Sequence, residues 1–552
     1  MSSSRSLLEQ DIWSASRDKE EPVSPDRLAL HHKRAQSLCR QNVIATRDPT
    51  AFIILTIHIN LCIGTLANFL DDRPDLSDLF MLTEVGHGLD ARNLETTATL
   101  QPDGSFDLHT PNDAAAKAMP PTTPESGIPR VAVVFARLIV RGEDHGIKPF
   151  LVWLCDSTHM FRGITSRALP MRLGTASKPL DHAITTFEHV RLSPNALLGS
   201  VSKPEDERLE FLQQLWRVAV GTLSLSIPGI SGFKVGTYIA ALYSRRRTVA
   251  SPNGRGRVPI LSFSTQQRPI LDAWAYGIVL EPYARWTVKQ FMDPRHSWPV
   301  RHGLATAFKT IMNRATRVLD DLAERCGWQG LFTHSQIGEM AMTFRGNYIA
   351  EGDTLVLCIR LASELLARKY ELPAPRHPST PLAQREQHRT ADARDKIAEL
   401  GGYEKRRGEP FNRHILPRCR PLVEAMGHRM AYEAARDAGV CPTALRLFEL
   451  VCLAGDPGWR ASSSSSSAGE GAGGAGAGAG AGAGPGRAFD DDLVRAYEEA
   501  LPDMLRTVAE SGDLGEYVTA PILEDGAWDA FVGQLPAFEY PRDGDGGYQP
   551  KL

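Results

Sequence analysis

The chain has 552 residues, 42% of them hydrophobic and 23% charged, and a formal net charge of −3. At about 150 residues per domain this length holds three or four domains, and the composition excludes a wholly disordered or fibrous chain. The near-neutral balance argues against a dedicated nucleic-acid binder, which carries a strongly basic face. The cysteines include no C-x-x-C pair, and the start, MSSSRSLLEQDIW, lacks the apolar core of a secretory signal, so reduced thiols in an intracellular protein are expected.

Residues 1–50 are polar and read as an arm that packs onto a neighbour. The apolar run 51–70 contains His58, Asn60, Thr65 and Asn68, which are costly at the centre of a bilayer. It is therefore expected to be a buried helix and not a membrane span, with Arg73-Pro74-Asp75 as its exit turn. From about residue 80 to 198 the texture becomes β. LETTATL (94–100), the turn Pro102-Asp103-Gly104 and FDLHT (106–110) predict a hairpin, and 131–140 and 149–154 predict buried strands. Helical patterns return over 207–226, 232–246, 270–292, 304–325 and 353–370. A linker with four prolines (373–381) precedes a second helical block from 383 to 454. A Ser/Gly/Ala tract follows that cannot build a core, and helices resume at 490.

These patterns predict an α+β fold with segregated layers: an N-terminal helical domain (1–78), a central β-barrel or sandwich domain (79–200), a helical bundle (201–372) and an extra C-terminal helical domain (383–540). The low-complexity linker 461–487 interrupts the last of these. Gly471 to Gly476 formally fits G-x-G-x-x-G, but it neither follows a strand nor opens a helix, so the match is accidental. There is no Walker A, H-E-x-x-H or G-x-S-x-G sequence, and no metal site is expected. Two stretches remain. In TEVGHGLDARNLETTAT (83–99), Gly86 and Gly88 bracket His87 just before the hairpin, a turn that lets a flat ligand approach its backbone or simply reverses the chain. In EGDT (351–354), Asp353 or Thr354 can cap the next helix, leaving Glu351 beside a flexible glycine, where the helix dipole alone would favour an acid. The run Arg245-Arg246-Arg247 reads as a solvated helix end or as a clamp for a phosphate group.

These two motifs, in this order and on this background, resemble the acyl-CoA oxidase and acyl-CoA dehydrogenase flavoproteins, the oxidase branch more closely because of the extra C-terminal helices. DHAITTFEHVR (181–191) and STQQ (264–267) strengthen the resemblance, which covers about 51–538 without the Ser/Gly/Ala tract. It implies FAD as cofactor, with Thr83, Gly86, Gly88, Arg247, Gln267 and Gly327 at the cofactor and Arg247 reaching its pyrophosphate or adenine, often from a partner subunit. It implies Glu351 as the catalytic base, since Gly330 in CGWQG (326–330) precedes it by 351 − 330 = 21 positions. The reaction implied is α,β-dehydrogenation of an acyl-CoA or other acyl thioester by a homodimer, in the peroxisome or the cytoplasm. The C-terminal Pro550-Lys551-Leu552 resembles the peroxisomal Ser-Lys-Leu signal without matching it. Ser/Gly/Ala tracts of this kind have a fungal texture and suggest fatty-acid or secondary-metabolite biosynthesis. The chain departs from the family after Lys117, where Ala118 and Met119 replace aromatic residues and Pro121 replaces a glycine, and again at Trp328, where a glycine is common. These departures keep two alternatives open: a non-catalytic scaffold that retains the fold, and a flavin monooxygenase on the same fold.

Overall fold

The computed structural model describes residues 44–47, 52–53, 56–57, 60–61, 79–459 and 485–538, apart from 89, 121, 126, 171–179 and 181. The arm, the Ser/Gly/Ala tract, the C-terminal tripeptide and most of the predicted helix 51–70 lie outside these residues. The described residues of 52–61 are helical, and Ile57 and Leu61 are buried in the core of the β region.

The β region is organised by one strand, β5 (Arg130–Val140), whose sequence RVAVVFARLIV is apolar on both faces and buried over most of its length. A strand covered on both faces needs no alternation, hence the continuous apolar run. It joins β6 (Glu143–Cys155) through Arg141 and Gly142, both at positive φ (53° and 83°), the two-residue geometry that matches strand twist. β1 (Leu79–Met81) and β2 (Thr97–Leu100) pair parallel with successive stretches of β5, and β3 (Phe106–His109) and β9 (Val190–Leu192) extend the sheet antiparallel from β2. The predicted hairpin is β2–β3. A second, three-stranded sheet has the order β4 (Lys117–Met119), β8 (Ala183–Phe187), β7 (Ile164–Ala168). A short antiparallel pair, β10 (Thr248–Ala250) and β11 (Arg257–Pro259), interrupts the helical region.

Helices of eight residues or more follow in the order α1 (Glu207–Gln214), α2 (Trp216–Ser224), α3 (Pro228–Arg246), α4 (Ser264–Met292), α5 (Trp298–Ala315), α6 (Val318–Arg325), α7 (Ile337–Asn347) and α8 (Thr354–Leu366). The chain continues with α9 (Pro381–Glu399), α10 (Leu416–Asp437), α11 (Pro442–Ala454), α12 (Pro485–Glu510) and α13 (Asp525–Gly533). The predicted 207–226 is two helices that break at Leu215, and 304–325 breaks at Thr316, whose hydroxyl donates to Asn313 O and closes the end of α5. Helix α7 has no counterpart in the sequence expectations. The 29-residue α4 packs against α3, α5, α10 and α11, and buried residues from Ala219 to Ile522 form one continuous apolar cluster. The stretch Trp216–Arg246 is long and apolar enough to cross a membrane, but 78% of its apolar window is buried inside this bundle. The first helices also touch the β region: Lys148 of β6 pairs with Glu210 of α1, and Phe211, Leu215 and Val218 pack on the β core.

Candidate active site

The residues singled out from the sequence fall into three groups. The first is the loop between α7 and α8. Asp353 caps α8 by accepting from the N–H groups of Leu355 and Val356, as its position before the helix suggests. Glu351 and Gly352 lie just before it in the left-handed region (φ 55° and 88°), a backbone state that glycine adopts freely and glutamate does not. The loop is held from outside. The Thr222 hydroxyl of α2 donates to Glu351 O at 2.9 Å, and Lys309 Nζ of α5 donates to Ala350 O at 2.5 Å and Gly352 O at 2.6 Å. The Glu351 carboxyl lies against Gly221 of α2, where a methyl group would come within 2.4 Å of its Cδ and Oε1. Among the described residues no donor lies within hydrogen-bond distance of that carboxyl, and the Glu351 N–H donates to no protein acceptor. Burial pushes the carboxyl up to about 8, against the pull of Lys309 and Arg217. Burial likewise pushes the Lys309 ammonium down to about 8 and the Arg217 guanidinium down to about 10. Arg217 Nε donates to Asn60 O at 2.9 Å, which ties α2 to the N-terminal segment.

The second group is the turn after β1. Its organiser is Glu84, which the sequence did not single out. Glu84 is 1% exposed and accepts from Thr96 N (3.0 Å), Thr96 Oγ1 (2.6 Å) and Glu95 N (2.9 Å). It also pairs with His87 Nδ1 at 2.8 Å and with the fully buried Lys117 Nζ at 2.9 Å. Burial raises the Glu84 carboxyl, but Lys117, Thr96 and the Glu95 N–H outweigh it and hold the group below the usual carboxylate range. Lys117, buried on β4, is pushed down to about 8. This pair locks the turn to β4, where Ala118 N donates to Thr83 O at 2.9 Å. Gly86 is required by a close approach, since a methyl there would lie 2.8 Å from Ala114 Cβ, whereas Gly88 is exposed with open space around it. Thr83 is half-buried, and among the described residues its hydroxyl has no partner. Of the segment that departs from the family, Pro121 lies outside the described residues. Thr122 is buried, and its hydroxyl joins those of Ser166 and Thr185, each at 3.2 Å, across the three-stranded sheet.

The third group gathers the ends of three helices. Gln266 Nε2 donates to Ser244 Oγ of α3 (2.9 Å) and to Arg325 O of α6 (2.8 Å), while Gln267 Nε2 donates to Leu261 O at 2.8 Å. Gly327, at φ 62°, faces the Tyr243 hydroxyl, and Gly330 packs so closely on α6 that a methyl would lie 2.1 Å from Ala323 O. Arg247, Gln267 and Gly327 are thus brought together. The exposed Arg247 side chain has no partner among the described residues, and Nε of Arg246 and of Arg325 are buried without an acceptor. Trp328 is 63% exposed, edge-on to Phe332 and Trp528, beside the exposed Leu331. No hydrogen bond among the described residues joins this group to the other two. No group of three or more metal-ligating side chains occurs among the described residues.

Comparison with known proteins gives one consistent direction. No protein-family model matches the chain. The protein named "Putative peroxisomal acyl-coenzyme A oxidase 1.2" of Arabidopsis thaliana is 28% identical over 334 residues, 56% of this chain and 49% of that protein. "Peroxisomal acyl-coenzyme A oxidase 3" of Homo sapiens is 25% identical over 322 residues, 53% of this chain and 45% of that protein. The chain thus spans about half the length of the curated relatives it matches. In structure it superposes on acyl-CoA oxidase 1 of Yarrowia lipolytica with a TM-score of 0.73 at 18% identity, over 99% of this chain and 90% of that one. The chain is thus similar in sequence, and in fold, to acyl-CoA oxidases. Its α+β architecture is the fold of those oxidases. Acyl-CoA oxidase-1 of Caenorhabditis elegans, crystallised with FAD and ATP, matches with a TM-score of 0.68 at 18% identity, over 86% of this chain and 77% of that one.

Of the residues that matter in these groups, Glu84, Lys117, Gly221, Thr222 and Lys309 escaped the sequence reading. One signal was available: Lys309 is a lone cation inside the apolar run Leu304 to Met312, and a charge there is expected to have a specific partner.

Proposed function

We propose that this protein is an FAD-dependent acyl-CoA oxidase that dehydrogenates an acyl-CoA thioester between its α and β carbons, with Glu351 as the base. The observation that carries the reading is the Glu351 carboxyl, aimed past a glycine, without a protein donor of its own and raised to about 8 by burial. A base tuned near the working pH is what proton transfer from a weakly acidic α C–H requires. The carboxylate takes the α proton and ends as the neutral acid that its surroundings favour. The free Glu351 N–H can donate to the thioester oxygen as negative charge develops there, and its rigid loop lets it do so without reorganising. Glutamate supplies the reach to the α carbon.

The residues present fit a flavin dinucleotide. The unpartnered guanidinium Nε atoms of Arg246 and Arg325 and the free Arg247 side chain suit a pyrophosphate, and the unpartnered Thr83 hydroxyl beside the Gly86 turn suits the polar edge of a flat ring. Thr83, Gly86 and Gly88 would hold one end of the cofactor, and Arg247, Gln267 and Gly327 the other. Bound FAD supplies the acceptor for the β hydride. The exposed Trp328, Leu331 and Phe332 beside Gly327 support a homodimer in which a second copy covers this face. The relatives named as peroxisomal, together with Pro550-Lys551-Leu552, support a peroxisomal location.

The test is flavin reduction by a panel of acyl-CoA thioesters under nitrogen, followed by admission of air. Bleaching of the flavin, an enoyl thioester product and recovery of absorbance in air are expected. A purified chain that takes up no FAD would overturn the reading, and a hydroxylated product would favour a monooxygenase.

A further inference from the structure

We infer that Lys309 is a positioning residue, whose ammonium clamps the two peptide carbonyls on either side of Glu351 and so fixes the aim of that carboxylate. The inference rests on the reading of Glu351 as the base. Three consecutive carbonyls of the loop, those of Ala350, Glu351 and Gly352, are each held by a helix side chain, and Lys309 holds two of them. Four residues further along the same face of α5, Asn313 Nδ2 donates to Thr354 Oγ1, so two turns of α5 brace one loop.

The form of the contact argues for more than packing. Lys309 is 1% exposed, yet among the described residues it forms no ion pair within 4 Å. A buried ammonium without a counter-ion is costly, and a neutral donor could satisfy a carbonyl without carrying that penalty. What the cation adds is a field. The charged groups around the loop are Glu351 and Asp353 on the loop itself, Arg217 from α2 and Lys309 from α5, with the Cys358 thiol behind Lys309 on α8. His302 and Arg360 are further groups on the Lys309 side. Glu351 also occupies a left-handed backbone state, which persists only where the surroundings over-determine it. The Lys309 clamp is such a surrounding.

The experiment compares the flavin-loaded wild type with Lys309→Met, which removes the charge and both hydrogen bonds. Lys309→Gln keeps a donor and removes the charge. The measurements are flavin content, kcat, KM, the pH profile of kcat and a crystal structure. The expected result is a normal flavin content with kcat reduced on the order of a hundredfold, KM changed far less, and the acid limb of the profile moved to higher pH. In the crystal, Glu351 is expected to leave the left-handed region. Whichever of the two variants folds decides the matter: wild-type kcat together with an unmoved acid limb overturns the proposal. Glu351→Gln is the separate control. If it still turns over, the base assignment fails; if it is dead while both Lys309 variants are unaffected, only the clamp fails.

Discussion

Gly221 and Glu351 are shaped to one another: the carboxyl of Glu351 occupies the space that any side chain at 221 would fill, with 2.4 Å left between a methyl carbon and Cδ. The obstacle is the far end of a flexible side chain, so Gly221→Ala folds by displacing the carboxyl. Alanine inside α2 also removes a helix penalty of about 1 kcal/mol. Stability and activity are therefore expected to move in opposite directions. The thermal midpoint should stay level or rise, while kcat falls on the order of a hundredfold because the base is turned from its target. Calorimetry and turnover on one preparation check this. A variant that loses stability and activity together would refute the geometry.

The pH dependence follows from the same carboxyl. With Glu351 raised to about 8, proton abstraction by the free enzyme should grow as pH rises through that value and level off above it. For stability the sign is opposite. The folded carboxyl binds its proton more tightly than the unfolded one, so this contribution is complete below the usual carboxylate range and is lost as pH rises through about 8. Glu351→Gln should therefore gain thermal stability relative to the wild type between pH 5 and pH 9. A wild-type kcat/KM profile that is flat from pH 6 to 9 would contradict the assignment.

The Glu84–Lys117 pair predicts a folding defect tied to flavin binding. Lys117→Met leaves the Glu84 carboxylate buried with its hydrogen bonds but without its counter-ion, at a cost of about 3–5 kcal/mol. The turn carrying Thr83 and Gly86 loses its anchor to β4, so the cofactor should also be released more readily. Adding Glu84→Gln should recover part of the stability, because the uncompensated charge is gone. Denaturant unfolding and flavin retention on gel filtration measure both effects. Strict additivity of the two substitutions would show that the pair does not act as a unit.

What could be read from the chain was what depends on neighbours in sequence. The hairpin β2–β3, the buried strand β5, the cap at Asp353 and the glycines at 86, 327 and 352 follow from alternation, side-chain chemistry and backbone freedom. The long α4 and the break at Thr316 were blurred because local periodicity is similar on either side of a tertiary constraint. Gly221, Glu84 and Lys117 were silent for a different reason. Each owes its role to a residue that is distant in sequence, 130 positions away for Gly221 and Glu351 (351 − 221), and no local pattern announces such a meeting.

Helix α12 offers a prediction independent of catalysis. Asp272 of α4 accepts a 2.8 Å hydrogen bond from the Tyr497 hydroxyl of α12, and Arg268 lies over the Tyr497 ring at 5.4 Å. Burial pushes the Asp272 carboxyl up to about 7, and the Tyr497 hydrogen bond only partly offsets this. The folded group therefore holds its proton above its unfolded range. Its contribution to stability is complete below about pH 4 and is lost as pH rises through 7. Asp272→Asn mimics the neutral form and accepts the same hydrogen bond, so its thermal midpoint should exceed that of the wild type at pH 8 by more than at pH 5. Because Tyr497 sits on α12, amide exchange in 485–510 should slow in the variant at pH 8. A midpoint difference that is the same at both pH values would mean that folded Asp272 does not change its charge between pH 5 and pH 8, which would overturn this reading.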